Sequence, residues 1–236
     1  MAQDIIITID GPAGSGKSTL GRFLAQALGY RYLDSGALYR AVAREARRQG
    51  LDLDDGEALR AFLPGFQPQA NSDAQGFHLW VDGREITGEL RTPEVSRDAS
   101  RVATQTVVRQ WVTGWLRAFA DAQGVVAEGR DLGSVVFPDA QVKFYLDAAL
   151  AVRAERRRQE WQDQGAAPAL EKVAAEIAGR DHQDQTRAEA PLKIPAGAIR
   201  IDTSKLGPQE VARHCLARIQ EVLQTGRWEN KPSKPV

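Results

Sequence analysis

A single cysteine, Cys215, stands among 236 residues, so no disulfide can close within the chain and nothing argues for an oxidising compartment. It falls at helical spacing with Val211, Ile219 and Val222, the pattern of a buried core thiol. Net charge is lacking too. The 31 Lys and Arg balance 31 Asp and Glu, which leaves no overall field to draw the chain to nucleic acid or a membrane surface. No apolar run approaches membrane-spanning length, and no basic segment followed by a long apolar one opens the sequence. A soluble, cytoplasmic protein is expected. Repeats and low-complexity tracts are absent, as are Ser-His-Asp and metal-cluster patterns. The three histidines, His78, His182 and His214, are far apart and in different predicted elements. What remains is an ordinary globular composition, 42% hydrophobic and 26% charged, that suits one α/β domain with a small insert.

Against these absences one stretch is rich in meaning. Gly11-Pro12-Ala13-Gly14-Ser15-Gly16-Lys17-Ser18-Thr19 fits the phosphate-loop pattern of Gly, four residues, Gly, Lys, Ser or Thr. Its glycines let the backbone bend around a phosphate and aim successive N–H groups at it. Lys17 can reach the outer phosphates and the Ser18 hydroxyl can ligate magnesium. A helix starting near Gly16 adds its positive end to the anion site. The context agrees: the apolar run Ile5-Ile6-Ile7-Thr8-Ile9 precedes the loop, and Leu20, Phe23, Leu24, Ala27 and Leu28 follow at helical spacing.

Further along, Tyr30–Leu33 reads as a second strand, with Asp34 or Ser35 capping a helix that runs to about Gln49. Residues 51–92 change character: Pro64, Gly65, Pro68 and the polar stretch 71–76 break any long helix. Phe77–Val81 and Glu85-Ile86 flank Asp82-Gly83, a hairpin signal, so residues 66–88 are expected to form a small antiparallel insert packed by Phe77 and Trp80. Two helices are expected over 93–122 with a break near 104–106, then a strand at 125–127 and another at 142–146. An arginine-rich helix from about Ala148, a break at 165–168 and a helix from 169 toward 186 come next. A fifth strand at 198–201 and a final amphipathic helix at 209–224 lead into a polar tail. Strands alternating with helices predict a doubly wound parallel sheet of five strands, with ligands beyond the strands' carboxyl ends. The polar clusters at 11–18, 34–40, 128–131 and 203–207 sit at those ends.

Phosphoryl transfer needs positioning and positive charge, and arginine meets phosphate bidentately while staying charged. Arg40, Arg130, Arg153, Arg156, Arg157, Arg180 and Arg187 fall near strand ends or after the fourth strand. Residues 153–158 alone read equally well as a solvated charged face. Ser100 and Arg109 taken alone read as polar helix surface, and Asp184 beside Arg180 also fits a helical i, i+4 salt bridge.

The phosphate loop, Asp34-Ser35-Gly36-Ala37-Leu38-Tyr39-Arg40 and Gly129-Arg130-Asp131-Leu132-Gly133-Ser134-Val135-Val136-Phe137-Pro138-Asp139-Ala140 together resemble the bacterial cytidylate kinases. So do Arg180-Asp181-His182-Gln183-Asp184 and Arg187-Ala188-Glu189-Ala190-Pro191-Leu192. The blocks keep the family's order and spacing from Ile5 to about Leu223, and Glu128 stands where an Asp is expected. The resemblance implies a P-loop NTPase-type nucleoside monophosphate kinase fold. Its core would comprise residues 1–62, 93–150 and 188–225, with a monophosphate-binding insert at 63–92, a helical lid at 151–187 and a tail at 226–236.

It also implies a monomer that transfers the γ-phosphate of ATP, with Mg2+, to CMP and dCMP. By the same resemblance Ser35, Arg40, Arg130 and Arg187 grip the CMP phosphate. Ser100, Arg109 and Asp131 read the cytosine edge, and Arg180 and Asp184 contact the sugar. Lys17, Arg40, Arg130 and Arg187 would stabilise the transferring group, while Arg153, Arg156 and Arg157 belong to a lid over ATP. Rival readings are a kinase of another small acceptor, such as UMP or a metabolite, and a non-catalytic nucleotide switch.

Overall fold

The computed structural model describes residues 4–73, 75–120, 124–163, 165 and 168–226. The expected helix end at Ala122, part of the break at 165–168 and the tail beyond Gly226 lie outside them. The apolar run near the start becomes β1 (Ile6–Asp10), which ends where the phosphate loop begins. The loop leads into α1 (Lys17–Leu28), stopped by Gly29 in the left-handed conformation that glycine favours. β2 (Arg31–Asp34) passes directly into α2 (Ser35–Arg48), and Asp34 caps that helix by accepting from the Ala37 N–H at 2.9 Å.

The next stretch differs from the sequence expectation in two places. A short helix, α3 (Gly56–Phe62), forms where none was expected. Asp55 caps it, accepting from the N–H groups of Glu57 and Ala58. The antiparallel insert has three strands, β3 (Gln69–Asp73), β4 (Gly76–Val81) and β5 (Arg84–Glu85), not two. β3 has no apolar alternation to announce it. It forms because β4 supplies the ladder and because Ser72 Oγ accepts from the Tyr32 N–H at 3.1 Å, tying it to β2.

Two helices follow as expected, α4 (Pro93–Val102) and α5 (Thr106–Ala120). The insert docks on α5 through aromatic rings. Phe77 meets Trp115 and Phe119 edge-on at 6.5 and 5.7 Å, and Phe66 meets Trp111 at 5.3 Å. Phe77 is buried, whereas Trp80 is only half-buried. β6 (Val125–Gly129) is then followed by a π-helical turn, Leu132–Val136, that the sequence pattern did not signal. Asp10 organises it: its two carboxylate oxygens accept from the N–H groups of Leu132 and Gly133 at 2.9 and 2.8 Å.

β7 (Val142–Asp147), the helical hairpin α6 (Leu150–Asp163) and α7 (Leu170–Thr186), β8 (Ile199–Asp202) and α8 (Pro208–Thr225) complete the chain. The main sheet has the order β2-β6-β1-β7-β8, parallel throughout, so β1 is central. Ile7 and Ile9 on one face of it and Thr8 on the other are all fully buried, as both faces of such a sheet are covered. All the polar clusters named from the sequence therefore emerge on one edge.

Candidate active site

A cleft of about 640 Å³ opens at that edge. Residues 13–20 of the phosphate loop and α1 form one wall; residues from 34–40, 128–131 and α4 contribute another, and α6, α7 and residues from the 203–211 segment line further parts of it. The four polar clusters expected at the strand ends all reach it.

The loop is shaped by close backbone contact. Gly11 has φ +148°, and a Cβ there would lie 2.0 Å from the Leu146 carbonyl oxygen. Any side chain would force β1 and β7 apart. Inside the loop, Ser15 Oγ and Lys17 Nζ both donate to the Pro12 carbonyl, at 3.0 and 2.7 Å. Burial pulls the Lys17 pKa down to about 7; Arg130 adds to the shift, while Glu128 and Asp10 oppose it. Burial also pushes Asp10 up to about 6, although the N–H groups of Gly133 and Leu132 work against this. Glu128 is raised in the same way, by burial first and the Asp34 charge second, and it accepts from the Tyr32 hydroxyl, with the Ser18 hydroxyl close by. Lys17 thus stands between carboxylates and arginines in a setting where a phosphate would complete its charge balance.

Opposite the loop, arginines and aspartates interlock. Arg40 pairs with Asp34 at 2.8 Å and Arg130 with Asp184 at 2.9 Å. Arg187 lies 3.5 Å from Asp184 and 3.6 Å from Asp131. Arg109 and Asp131, 4% and 5% exposed, form a buried ion pair, and Arg109 also donates to the Ala103 carbonyl at 3.2 Å. Asp131 lines the cleft with Arg109 behind it. Ser35 lines it while donating to the Glu128 carbonyl at 2.8 Å, and Ser100 lines it while donating to the Ser96 carbonyl at 3.3 Å. Arg180 differs from its neighbours. Burial and the charge of Arg130 pull its pKa down to about 10, and its Nε has no hydrogen-bond partner. A half-buried guanidinium whose Nε is unpartnered has a donor to spare for a ligand in the cleft.

The i, i+4 pair between Arg180 and Asp184 that the sequence allowed is not the contact Asp184 makes; its partners are Arg130 and Arg187. The three α6 arginines assigned above to the lid have separate fates. Arg153 is buried against the phosphate loop, Arg156 donates to the Thr203 hydroxyl and carbonyl, and Arg157 lines the cleft with its guanidinium 5.2 Å over the Trp161 ring. Sequence reasoning left Asp10, Asp181 and Thr203 without a role. Asp10 ends the first strand and Asp181 lies within the quoted 180–184 block, so their positions were visible, but not what they would touch.

A phosphate loop after the central strand of a parallel sheet, facing an arginine-lined cleft at the strands' carboxyl ends, defines a P-loop phosphotransferase. Within that class the chain belongs to the cytidylate kinase family. The family's profile, described as Cytidylate kinase, matches residues 7–221. The chain is 40% identical over 223 residues to the cytidylate kinase of Pasteurella multocida (strain Pm70), covering 94% of this chain and 98% of that one. It is 42% identical over 214 residues to the cytidylate kinase of Pelotomaculum thermopropionicum (strain DSM 13744 / JCM 10971 / SI), covering 90% and 95%.

Proposed function

We propose that the cleft transfers the γ-phosphoryl group of ATP to the phosphate of CMP or dCMP. The observation that carries this reading is one cleft with two facing anion grips: the phosphate loop with Lys17, and the set Arg40, Arg130 and Arg187. An acceptor phosphate oxygen attacks the γ-phosphorus, the bond to the β-phosphate oxygen breaks, and ADP leaves. The acceptor is already a phosphate oxygen, so no strong general base is needed. The protein's task is to align the two nucleotides and meet the charge that builds on the transferring group.

In this reading the loop N–H groups and Lys17 hold the donor phosphates, and Arg157 reaches the donor from α6. Ser35, Arg40, Arg130 and Arg187 hold the acceptor phosphate, while Arg180 and Asp184 face its sugar. Asp131, with Ser100 beside it and Arg109 behind it, meets the base. A carboxylate only accepts hydrogen bonds, so it suits the exocyclic amine of cytosine and opposes the O4 acceptor of uracil.

Magnesium suits this site. The Ser18 hydroxyl and the Glu128 carboxylate adjoin each other beside Lys17, and both are the hard oxygen donors the ion prefers. Among the described residues no group of three metal-ligating side chains occurs, so the ion would take its other ligands from phosphates and water. When bound it supplies further positive charge to the transferring group. Among the described residues no helix is long and apolar enough to cross a membrane.

The test is ATP consumption measured with CMP, dCMP, UMP or no acceptor. Fast turnover with CMP and dCMP, and little with UMP or alone, is expected. Slow turnover indifferent to CMP would favour a nucleotide switch and sink the proposal.

A further inference from the structure

The hairpin of α6 and α7 has a small core of its own, in which Ala154, Trp161, Val173 and Ile177 are buried together. Among the described residues the one apolar group from outside the hairpin packed on that core is Ala13, in the middle of the phosphate loop. One ion pair from the hairpin takes up both polar groups of the Ala13 backbone. Asp181 Oδ1 accepts from the Ala13 N–H at 3.4 Å, and Arg153 Nη1 donates to the Ala13 carbonyl at 3.1 Å. The same Nη1 donates to Asp181 Oδ2, and Arg153 Nε donates to the Ala148 carbonyl at 2.8 Å, so the guanidinium is held at both ends. Arg153 is 7% exposed and Asp181 is 8% exposed. Neither is among the residues lining the cleft.

The next residue lies close against the backbone of the same helix. Gly14 has φ +75°, and a Cβ on it would lie 2.9 Å from the Arg153 carbonyl oxygen. Arg156 extends the hold, since its Nη1 donates to Thr203 Oγ1 at 3.0 Å and that hydroxyl donates to the Ser15 carbonyl at 3.1 Å. Glycine-rich backbone has the most conformational freedom to lose on ordering. A loop already held in its phosphate-binding curve loses less when the ligand arrives.

We propose that Arg153 and Asp181 act as a unit of positioning residues for the donor nucleotide, their ion pair holding the Ala13–Gly14 backbone in the shape that cradles its phosphates. The proposal rests on the phosphotransferase reading above and changes one part of the sequence expectation. Arg153 serves ATP through the loop backbone and not by reaching over the nucleotide.

The experiment compares Asp181→Asn, Asp181→Glu, Arg153→Ala and the double variant Arg153→Ala/Asp181→Asn. Affinities for a non-hydrolysable ATP analogue and for CMP are read separately by calorimetry, alongside thermal unfolding. Asp181→Asn should weaken the ATP analogue by about tenfold, the scale at which a small misplacement becomes visible, and leave CMP within about twofold. Asp181→Glu, which keeps the charge, should recover part of the loss. The double variant should be no weaker than Arg153→Ala alone, because members of one unit do not add. If Asp181→Asn binds the analogue as tightly as the wild type or tighter, a freed Arg153 contacts the nucleotide itself and the proposal falls. If both ligands weaken together with the melting temperature, the pair is only a fold staple, and the proposal falls again.

Hydrogen exchange on the wild-type protein without ligand needs no variant to fold. The Ala13 amide should be protected, and exchange at the rate of an open loop would overturn the assignment. Absence of CMP-dependent ATP consumption by the wild type would instead refute the phosphotransferase reading, whatever the variants bind.

Discussion

Burial works against the charge of Lys17, and that makes a measurable link between protons and nucleotide. Its pKa is lowered from 10.5 to about 7, so between those values the unfolded chain binds a proton that the folded one does not. The cost of burying the charge is therefore full below pH 7 and fades as the pH rises toward 10.5. Bound phosphates favour the charged form and raise the pKa again. ATP binding at pH 8 should take up as much as roughly one proton, seen as a binding heat that changes with the ionisation enthalpy of the buffer. Heats independent of buffer would show that Lys17 is already charged. Arg130 is the other decisive residue. If it meets the transferring group, Arg130→Ala should lower kcat by about 10²–10⁴; a near-normal kcat would make its pair with Asp184 purely structural. Residue identity was legible at this scale, because Lys17 and Arg130 stand inside patterned blocks. Partnership was not. Asp184 sits four residues from Arg180 yet pairs with Arg187, three residues on, and with Arg130, a contact that depends on where α7 brings Asp184 relative to the residue just after β6.

Among the elements, the insert and the helical hairpin show how periodicity can inform and mislead. β4 and the Asp82-Gly83 turn were legible because apolar alternation and a two-residue turn signal carry direct backbone meaning. β3 was not, because a polar strand at an insert's edge takes its conformation from its neighbour's ladder and from Ser72. The insert is held to α5 by its aromatic contacts, so Phe77→Ala should cost about 3–5 kcal/mol in equilibrium unfolding. A loss below about 1 kcal/mol would mean that the Phe77, Trp115 and Phe119 cluster contributes little beyond filling space. The arginines of α6 show the opposite case. Their helix was evident, yet a run of like charges at helical spacing does not tell a solvated face from a loop anchor. Burial of Arg153 beside Ala13 makes that distinction.

The whole molecule joins distant segments around one cleft, and its stability should register what fills it. A ligand that binds only the folded state adds about 2.7 kcal/mol at a hundred times its dissociation constant, on the order of 5–10 °C in Tm for a chain of this size. CMP alone should give such a shift, because its proposed grip comes from α2, α4, α5 and α7 as well as from the end of β6. An ATP analogue should give its own. A Tm indifferent to saturating CMP would count against an acceptor pocket.

The succession of the main-sheet strands and long helices, the parallel sheet, the phosphate loop and the family blocks were all legible in the sequence alone, because each depends on local spacing: a β-branched run, a glycine pattern, a cap, a turn. Tertiary structure decided which arginine meets which aspartate, how Asp10 shapes the turn after β6, and that Arg153 and Asp181 grip the phosphate loop from behind. Those contacts join residues far apart along the chain, from Asp10 to Gly133 and from Ala13 to Asp181. Charge and hydrogen bonding act through space, and only the folded sheet brings such residues within reach of one another.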